Sequence, residues 1–527
     1  MFRRSILLLL LASVAPAALA QRQAEAPPPA VLTLDEAIQI ALTNNHALRS
    51  LRLDVETADQ QVLEGWGMLV PQVDLSSTYT RNVKSVNPFS GSSAGSLFQS
   101  LGYLDWLAFN EQARTDADPG STPISLTDYF LRRQAGLDAA GVPATSDGDN
   151  PFRIPNVYRN GISVTQKLFD GRAILGATGA QRWLRPLRER AVEREEQLLV
   201  DQVRRAFYAS LLSRERASVV GQSVTRATTT LDEVSRQVAE GVAPKFQRLS
   251  AEVEVANLET QFVQAENDAA GALDNLKLLL GVPAEQPIRL RGSLEADLSL
   301  GNPPADSPEA IEVALARRPD LEQSRIGIEL ENIQLKVAQS AYLPDVSAFA
   351  NVGLVGNVPD NRQGVVADPN DPFKFSTTSY GYFADPYWNW DFNVGISMRW
   401  TLFDGLQTHR RIQQRRIAVE KARITRDLLA QSVTIEVDRV LRDLLAARRR
   451  MASQERNVER AALNYEYAEA RLKEGVASPL EVREASSQLD LSRLNHLQAI
   501  HDLLVARSAY ETAIGTPSPG ATPTAAN

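Results

Sequence analysis

Along most of the chain, apolar residues recur every three or four positions, the period of an amphipathic helix. Four segments break that rhythm and alternate with period two. In QVDLSSTYT, Val73, Leu75 and Tyr79 share one face; Asp74, Ser76, Thr78 and Thr80 share the other. In VSAFANVGL, Val346, Ala348, Ala350, Val352 and Leu354 fall together. Ile162, Val164 and Leu168 alternate with Ser163, Thr165 and Lys167. Phe392, Val394, Ile396, Met398, Trp400 and Leu402 alternate with Asn393, Gly395, Ser397, Arg399 and Thr401. The pattern predicts four strands of about ten residues, apolar on one face and polar on the other, in two hairpins over about 72–169 and 345–402. One such strand alone would read as part of a soluble, half-buried sheet. Four of them, with Tyr158, Phe169, Trp388, Trp390 and Phe403 near their ends, suit a membrane barrel. Four strands cannot close a barrel, so closure falls to several chains, and three copies would supply twelve strands.

The helical rhythm brackets each hairpin. Residues 33–69 read as one helix, opened by the capping box Thr33-x-x-Glu36 and stopped by Pro71; Pro344 stops its counterpart. After each hairpin comes LFDG: Phe169-Asp170-Gly171 and Phe403-Asp404-Gly405. Phe ends the strand and Asp can cap the following helix, so the motif is a strand-to-helix switch. Gln407 stands at the capping-box position after Asp404. The helices that follow run for about 70 residues, roughly 100 Å if unbroken. Pro186 is expected to bend or break the first. Polar connectors rich in Gly, Ser, Asp and Pro (NPFSGSSAGS, DADPGSTP, ATSDGDNP, VADPNDP) are expected to be loops on the outer side.

The chain is duplicated. GISVTQKLFDG and GISMRWTLFDG share seven of eleven positions at an offset of 234; EGVA at 240–243 recurs at 474–477, and Gly281 recurs as Gly515. Upstream the offset is 273, pairing DEAIQIAL at 35–42 with PEAIEVAL at 308–315, and Leu48 with Leu321. A unit of this size occurring twice is a duplicated half-molecule rather than a solenoid period. The repeats span 33–283 and 307–515, joined by a linker at 284–306.

Composition adds the compartment. Arg3 and Arg4, the apolar run Ile6–Leu11 and the small residues ending at Ala20 have the parts of a secretory signal over 1–20. Residues 21–32 read as a flexible lead-in and 516–527 as a disordered tail. The chain has no cysteine, hence no disulfide and no thiol for a lipid anchor. The net charge is −8, and −10 once Arg3 and Arg4 leave with the leader. That balance argues against nucleic acid as a partner. No later stretch holds eighteen consecutive apolar residues, so any membrane crossing must be by strands.

No catalytic, cofactor or metal constellation stands out. His46, His409, His496 and His501 are scattered, and no phosphate-binding loop is present. Gly241 and Gly475 read as helix C-terminal glycines that reverse the chain. Just beyond the second, Ser478-Pro479-Leu480-Glu481 is a capping box. Arg448-Arg449-Arg450 reads as a solvated helix face.

The order LTLDEAIQIAL, LVPQV and YLPDV, paired LFDG, paired EGVA and the Gly281/Gly515 ends resembles the TolC-type outer-membrane efflux family. These are the exit ducts of tripartite pumps and type I secretion systems. The resemblance covers roughly 31–515. It implies a mixed α and β protomer of a homotrimer: a twelve-stranded outer-membrane β-barrel continued by a long periplasmic α-helical barrel. It places the linker in an equatorial belt. It also implies a periplasmic adaptor and an inner-membrane pump or ABC transporter as partners, alongside outer-membrane lipid. Adaptor docking maps onto Gly241, Val242, Ala243, Gly475, Val476 and Ala477. A pore-entrance acidic ring maps onto Glu481 and Glu484, whose first-half equivalents are Gln247 and Ser250. The chain departs from the family at the contacts that hold the entrance shut. Leu472, Ala477 and Gln247 stand where a Tyr, an Arg and an acidic partner are usual. A periplasmic coiled-coil scaffold with a soluble sheet is the alternative reading, and a hydrolytic enzyme a third without a supporting constellation.

Overall fold

The computed structural model describes residues 30–84, 93–116, 121–142, 154–171, 173–295, 307–474, 476 and 478–516. The leader, nearly all of the lead-in and tail, and the linker beyond residue 295 lie outside the described residues, as do Gly475 and Ala477. Two compact units form. One comprises Val62–Gly179 and Ile333–Arg415; the other comprises the chain up to Gln61, Ala180–Asn332 and the chain from Arg416.

The first of these holds the sheet. Strands β2 (Gln72–Arg81), β3 (Asn156–Asp170), β5 (Asp345–Val358) and β8 (Trp388–Arg399) pair antiparallel in the order β2-β3-β5-β8. The register carries the predicted alternation across all four strands. Leu75, Ile162, Val352 and Phe392 stand side by side in one row; Asp74, Ser163, Asn351 and Asn393 form a neighbouring row on the opposite face. A bulge between Lys167 and Phe169 places Phe169, rather than Leu168, opposite Val346. The final strand also stops at Arg399, so Trp400 and Leu402 extend the alternation in sequence but not in the sheet.

The connectors are more ordered than their composition predicts. The first contains α3 (Ser93–Thr115) and α4 (Leu126–Ala139); the second contains the ribbon β6 (Gln363–Asp368) and β7 (Asp371–Ser379). Helix α4 docks on β7 so closely that a Cβ at Gly136 would lie 1.8 Å from the Phe373 carbonyl oxygen. Phe109, Tyr129 and Phe373 meet with centroids 5.1–5.7 Å apart. Trp106 and Asn110 both donate to the Ile124 carbonyl at 2.9 Å. The polar punctuation flanks an apolar segment, LFQSLGYLDWLAF, that has enough aromatic surface to order itself.

The other unit is helical. The expected helix 33–69 is two: α1 (Leu34–Asn44) and α2 (His46–Gly67). Asn45 separates them because its Oδ1 accepts from the N–H groups of Ala47 and Leu48, at 3.0 and 3.1 Å, and so caps α2. The second half repeats the break, with α7 (Ser307–Arg317) and α8 (Pro319–Ser340). Helix α5 (Ala173–Ala239) runs through Pro186 without a break. Arg185 braces it there, paired to Asp59 of α2 at 2.6 Å and to Glu189 at 2.7 Å. It returns as α6 (Lys245–Leu280); α9 (Gln407–Lys473) and α10 (Pro479–Ala513) repeat the pair. Two short strands, β1 (Ala30–Leu32) and β4 (Ile288–Leu290), pair in parallel, so the end of the expected flexible lead-in is strand, as is part of the linker.

Two cores express the duplication. Ala37, Ala41, Leu48, Leu199, Val203 and Phe207 are buried together in one. Their equivalents at the two offsets, Ala310, Ala314, Leu321, Val433, Val437 and Leu441, are buried together in the other.

Candidate functional site

The sheet presents one apolar and one polar face. On the apolar side Leu75, Phe392, Ile396 and Met398 are 66–80% exposed, a surface that water disfavours and hydrocarbon accepts. An aromatic row crosses one end. Tyr79 stacks on Tyr158 at 4.8 Å, and Tyr158 on Trp388 at 5.5 Å. The intervening strand offers Gly356, where a Cβ would come within 2.7 Å of the Trp388 ring. Such a belt suits the boundary between hydrocarbon and headgroups. The polar side carries an aromatic ring that the alternation did not single out, Phe349, lying over Gly395. Edges β2 and β8 have no strand partner among the described residues.

In both strand-to-helix switches the aspartate accepts from an N–H of the following helix. Gly171 has φ +64° and lies so near Ser340 that a Cβ would sit 2.3 Å from its carbonyl oxygen, so only glycine fits. Both Asp170 oxygens accept from the Ile174 N–H, at 3.0 and 2.9 Å. In the second copy Asp404 accepts from the Thr408 N–H at 2.7 Å. Hydrogen bonds from the Thr408 hydroxyl and N–H hold the Asp404 carboxyl below its usual range. The copies differ in where the strand stops. Phe169 lies within β3, whereas Phe403 lies beyond the end of β8 and is 79% exposed. Gln407 is the first residue of α9, and its N–H reaches the Asp404 carbonyl at 3.5 Å.

At the far ends of α5 and α9 the chain reverses twice. Gly241 has φ +77° and nothing within 4 Å of a would-be Cβ, so the turn needs its backbone conformation and not its small size. The N–H groups of Val242 and Ala243 donate to the Gln237 carbonyl at 2.9 and 3.1 Å. The second turn repeats one of these bonds at the same offset, Val476 N–H to the Arg471 carbonyl at 2.9 Å. Val242 and Val476 project into solvent, 76% and 66% exposed. Gly475, Ala477 and the Leu472 side chain lie outside the described residues.

The two candidate glutamates differ. Glu481 closes the capping box with Ser478 and is also ion-paired to Arg471 at 3.2 Å. Arg471 was not foreseen; its only signal is a basic side chain in the last turn of the preceding helix. Glu484 is exposed and makes no ion pair among the described residues. Gln247 lies in the first turn of α6, its N–H on the Pro244 carbonyl at 3.0 Å.

Among the described residues, no group of three or more His, Cys, Asp or Glu is arranged to hold a metal, and no helix is long and apolar enough to cross a membrane. His501 is half-buried beside Asp502, and burial pushes its pKa down.

The family model described as outer membrane efflux protein matches residues 145–282 and 310–516. Among solved structures, the chain is similar to CusC, at 15% identity and a TM-score of 0.65, covering 95% of this chain and 96% of that one. It is similar to the Campylobacter jejuni CmeC outer membrane channel, at 13% identity and TM-score 0.65, covering 92% and 85%. It is also similar to the open state of the Neisseria gonorrhoeae MtrE outer membrane channel, at 15% and 0.62, covering 92% and 88%. No curated protein matches it.

Proposed function

The chain belongs to the outer membrane efflux protein family, whose members are passive channels and not enzymes, and from that premise we propose that it is the exit duct of a tripartite efflux pump or type I secretion system. Three copies close a twelve-stranded barrel in the outer membrane, continued by a helical barrel in the periplasm. One observation carries the reading: a four-stranded sheet, apolar and exposed on one face, whose two edges are unpaired among the described residues. Such a sheet is stable in a membrane only when its edges are closed. Export by the leader 1–20 brings the chain to that membrane.

The ends of the long helices make the periplasmic mouth. Val242 beside Gly241, and Val476, offer exposed apolar contacts to the tip of an adaptor, and an inner-membrane pump or ABC transporter supplies the energy. Gly475 and Ala477 join the same docking surface. Glu484 is the carboxylate that lines the entrance, since Arg471 and the capping box occupy Glu481.

The test is mass and conductance together. Purified mature protein in detergent should have three times the chain mass and conduct ions in planar bilayers. Glu484→Gln should weaken block by divalent cations applied at the periplasmic mouth, because like charges gathered about an axis are relieved by a bound cation. A stable, non-conducting monomer with full strand content would overturn the proposal.

A further inference from the structure

The first connector carries two helices that the family match leaves out. The matched residues begin at 145, whereas α3 and α4 lie over 93–139. The insertion is nonetheless well built. Asn110 of α3 is buried and clasps Ile124, just before α4: it donates to the Ile124 carbonyl at 2.9 Å and accepts its N–H at 2.8 Å. Asp105 of α3 pairs with Arg133 of α4 at 3.0 Å. Helix α4 is in turn fixed to the other connector, with Gly136 against the Phe373 backbone and Arg132 at 5.9 Å over the Phe373 ring. The insertion thus leaves the sheet between β2 and β3 and leans over to the ribbon between β5 and β8. It lies along the rim of its own four strands.

One face of this insertion has no cover among the described residues. Tyr103, Leu104 and Leu107 on α3, and Phe130 and Leu131 on α4, are 41–63% exposed. The two helices share the patch: Tyr103 meets Phe130 edge-on at 6.5 Å, and a Cβ at Gly102 would lie 3.0 Å from the Phe130 ring. A patch of this kind in water calls for an occupant. Charge argues against a bilayer surface. Over 93–139 six acidic residues stand against three arginines, a balance that a phosphate-bearing surface repels. Size favours a second copy. Twelve strands about 4.8 Å apart and tilted about 40° close a ring roughly 24 Å across, with about 25 Å of rim for each copy. Helix α3 has 23 residues and is about 35 Å long. Laid along the rim, it outruns its own share and reaches the insertion of the next copy.

We propose that the three insertions meet through this patch and cap the outer mouth of the duct, so that the exit has a gate of its own. The proposal rests on the trimeric barrel and goes beyond it, since the barrel closes without these helices. Few side chains take part, far short of the roughly 800 Å² per partner that a stable interface buries. The cap can therefore part for cargo while the strands hold the trimer together.

The chain has no cysteine, so a single introduced thiol reports cleanly. In detergent-purified trimer, Leu107→Cys should react with a hydrophilic maleimide at least tenfold more slowly than Thr122→Cys, which is exposed off the patch. Adding Leu104→Glu and Leu131→Glu should remove that protection, because the carboxylates of facing copies repel. The same two glutamates, without the cysteine, should at least double single-channel conductance in planar bilayers and leave the trimer mass unchanged. Equal labelling at the two thiols in the trimer would show the patch uncovered and overturn the cap while the trimer stands. Protection that appears only in liposomes would name the bilayer as the occupant and overturn it too. If the glutamates speed labelling but leave conductance unchanged, the insertions meet without closing the mouth, and the gate is overturned. Absence of a trimer in the unaltered protein would instead overturn the reading beneath it.

Discussion

The two repeats solve one joint with different chemistry. In the first, Asn45 breaks the helix and its Nδ2 donates to the Leu279 carbonyl at 3.0 Å, beside Gly281. In the second, the equivalent residue is Arg318, whose Nη1 reaches the equivalent carbonyl, Ala513, at 3.4 Å, beside Gly515. The backbone plan is the same; the cost of removing the side chain is not. Arg318 is buried, with its side chain 4% exposed, and must be neutralised there. Asp320 binds it in fork geometry at 2.7 and 3.1 Å, Glu436 at 2.6 Å, and Arg194 adds a second cation 3.6 Å from Asp320. The lesson is that duplication preserves which carbonyl must be satisfied, and leaves free whether an amide or a buried ion network does it.

The largest effect should come from breaking that network. Arg318→Ala takes from the partly buried Asp320 its fork partner and should cost about 3–5 kcal/mol. Asn45→Ala removes a cap and one hydrogen bond and should cost about 1 kcal/mol. Urea unfolding followed by helical circular dichroism checks the pair. Equal losses would mean that the ion network contributes nothing beyond the shared carbonyl contact.

The glycines should rank the opposite way. Both have positive φ, +66° at Gly281 and +72° at Gly515. At Gly281 a Cβ would lie 2.6 Å from the Asn44 carbonyl oxygen, a backbone atom that cannot rotate aside. At Gly515 the nearest atoms are at 3.3 Å and include the flexible Arg318 side chain. Gly281→Ala therefore adds overpacking of about 1–3 kcal/mol to a left-handed penalty of about 1–2 kcal/mol. Gly515→Ala should show little more than the penalty. Thermal unfolding of the two variants decides it.

Most of this architecture was legible in the sequence because it rests on local patterns. The strands follow from alternation over Phe392–Met398. The caps follow from Thr33/Glu36 and Ser478/Glu481, both of which form reciprocal capping boxes. The duplication follows from fixed offsets. What escaped depends on distant partners. Asn45 looks like an ordinary helix residue until Leu279 arrives from the far end of the repeat. Arg318, in ARRPD, looks solvated until Glu436 meets it. Strand β1 comes from a lead-in whose composition reads as flexible, and it forms only by pairing with the distant β4. Among the candidate site residues, the resemblance named Glu481 and Glu484 but not Arg471, whose ion pair with Glu481 separates the two.

Acidity should sharpen the contrast between the joints. Burial works against the Asp320 charge, but the hydrogen bonds and charge of Arg318, helped by Arg194, outweigh it and leave the carboxyl below its ordinary 3.8. A depressed acid stabilises the fold above its unfolded pKa and loses that contribution as pH falls through the lower folded value. The second joint should therefore hold down to about pH 4 and weaken below it. Asn45 does not titrate, so the first joint should show no such step. Asp320→Asn should flatten the acid limb of the stability curve. An unchanged limb would mean that other carboxylates set it.

The smallest effect should appear at the turns, where the halves again differ in charge. Beside the second turn Arg471 pairs with Glu481; the first turn has Gln237 and Gln247 at the equivalent places. The pair is about half exposed on both sides, so solvent screens it. Glu481→Gln should cost less than about 1 kcal/mol, and much of that difference should disappear in high salt. The capping box survives the change, because glutamine can still receive the Ser478 N–H through its amide oxygen. Stability is therefore the wrong place to look for a role of Glu481, and conductance the right one. If Glu481→Gln leaves cation block intact while Glu484→Gln abolishes it, the ion pair has removed Glu481 from the entrance and the free carboxylate acts alone. If both variants weaken block equally, Arg471 does not hold Glu481 in the working channel, and the two turns are less different than their chemistry implies.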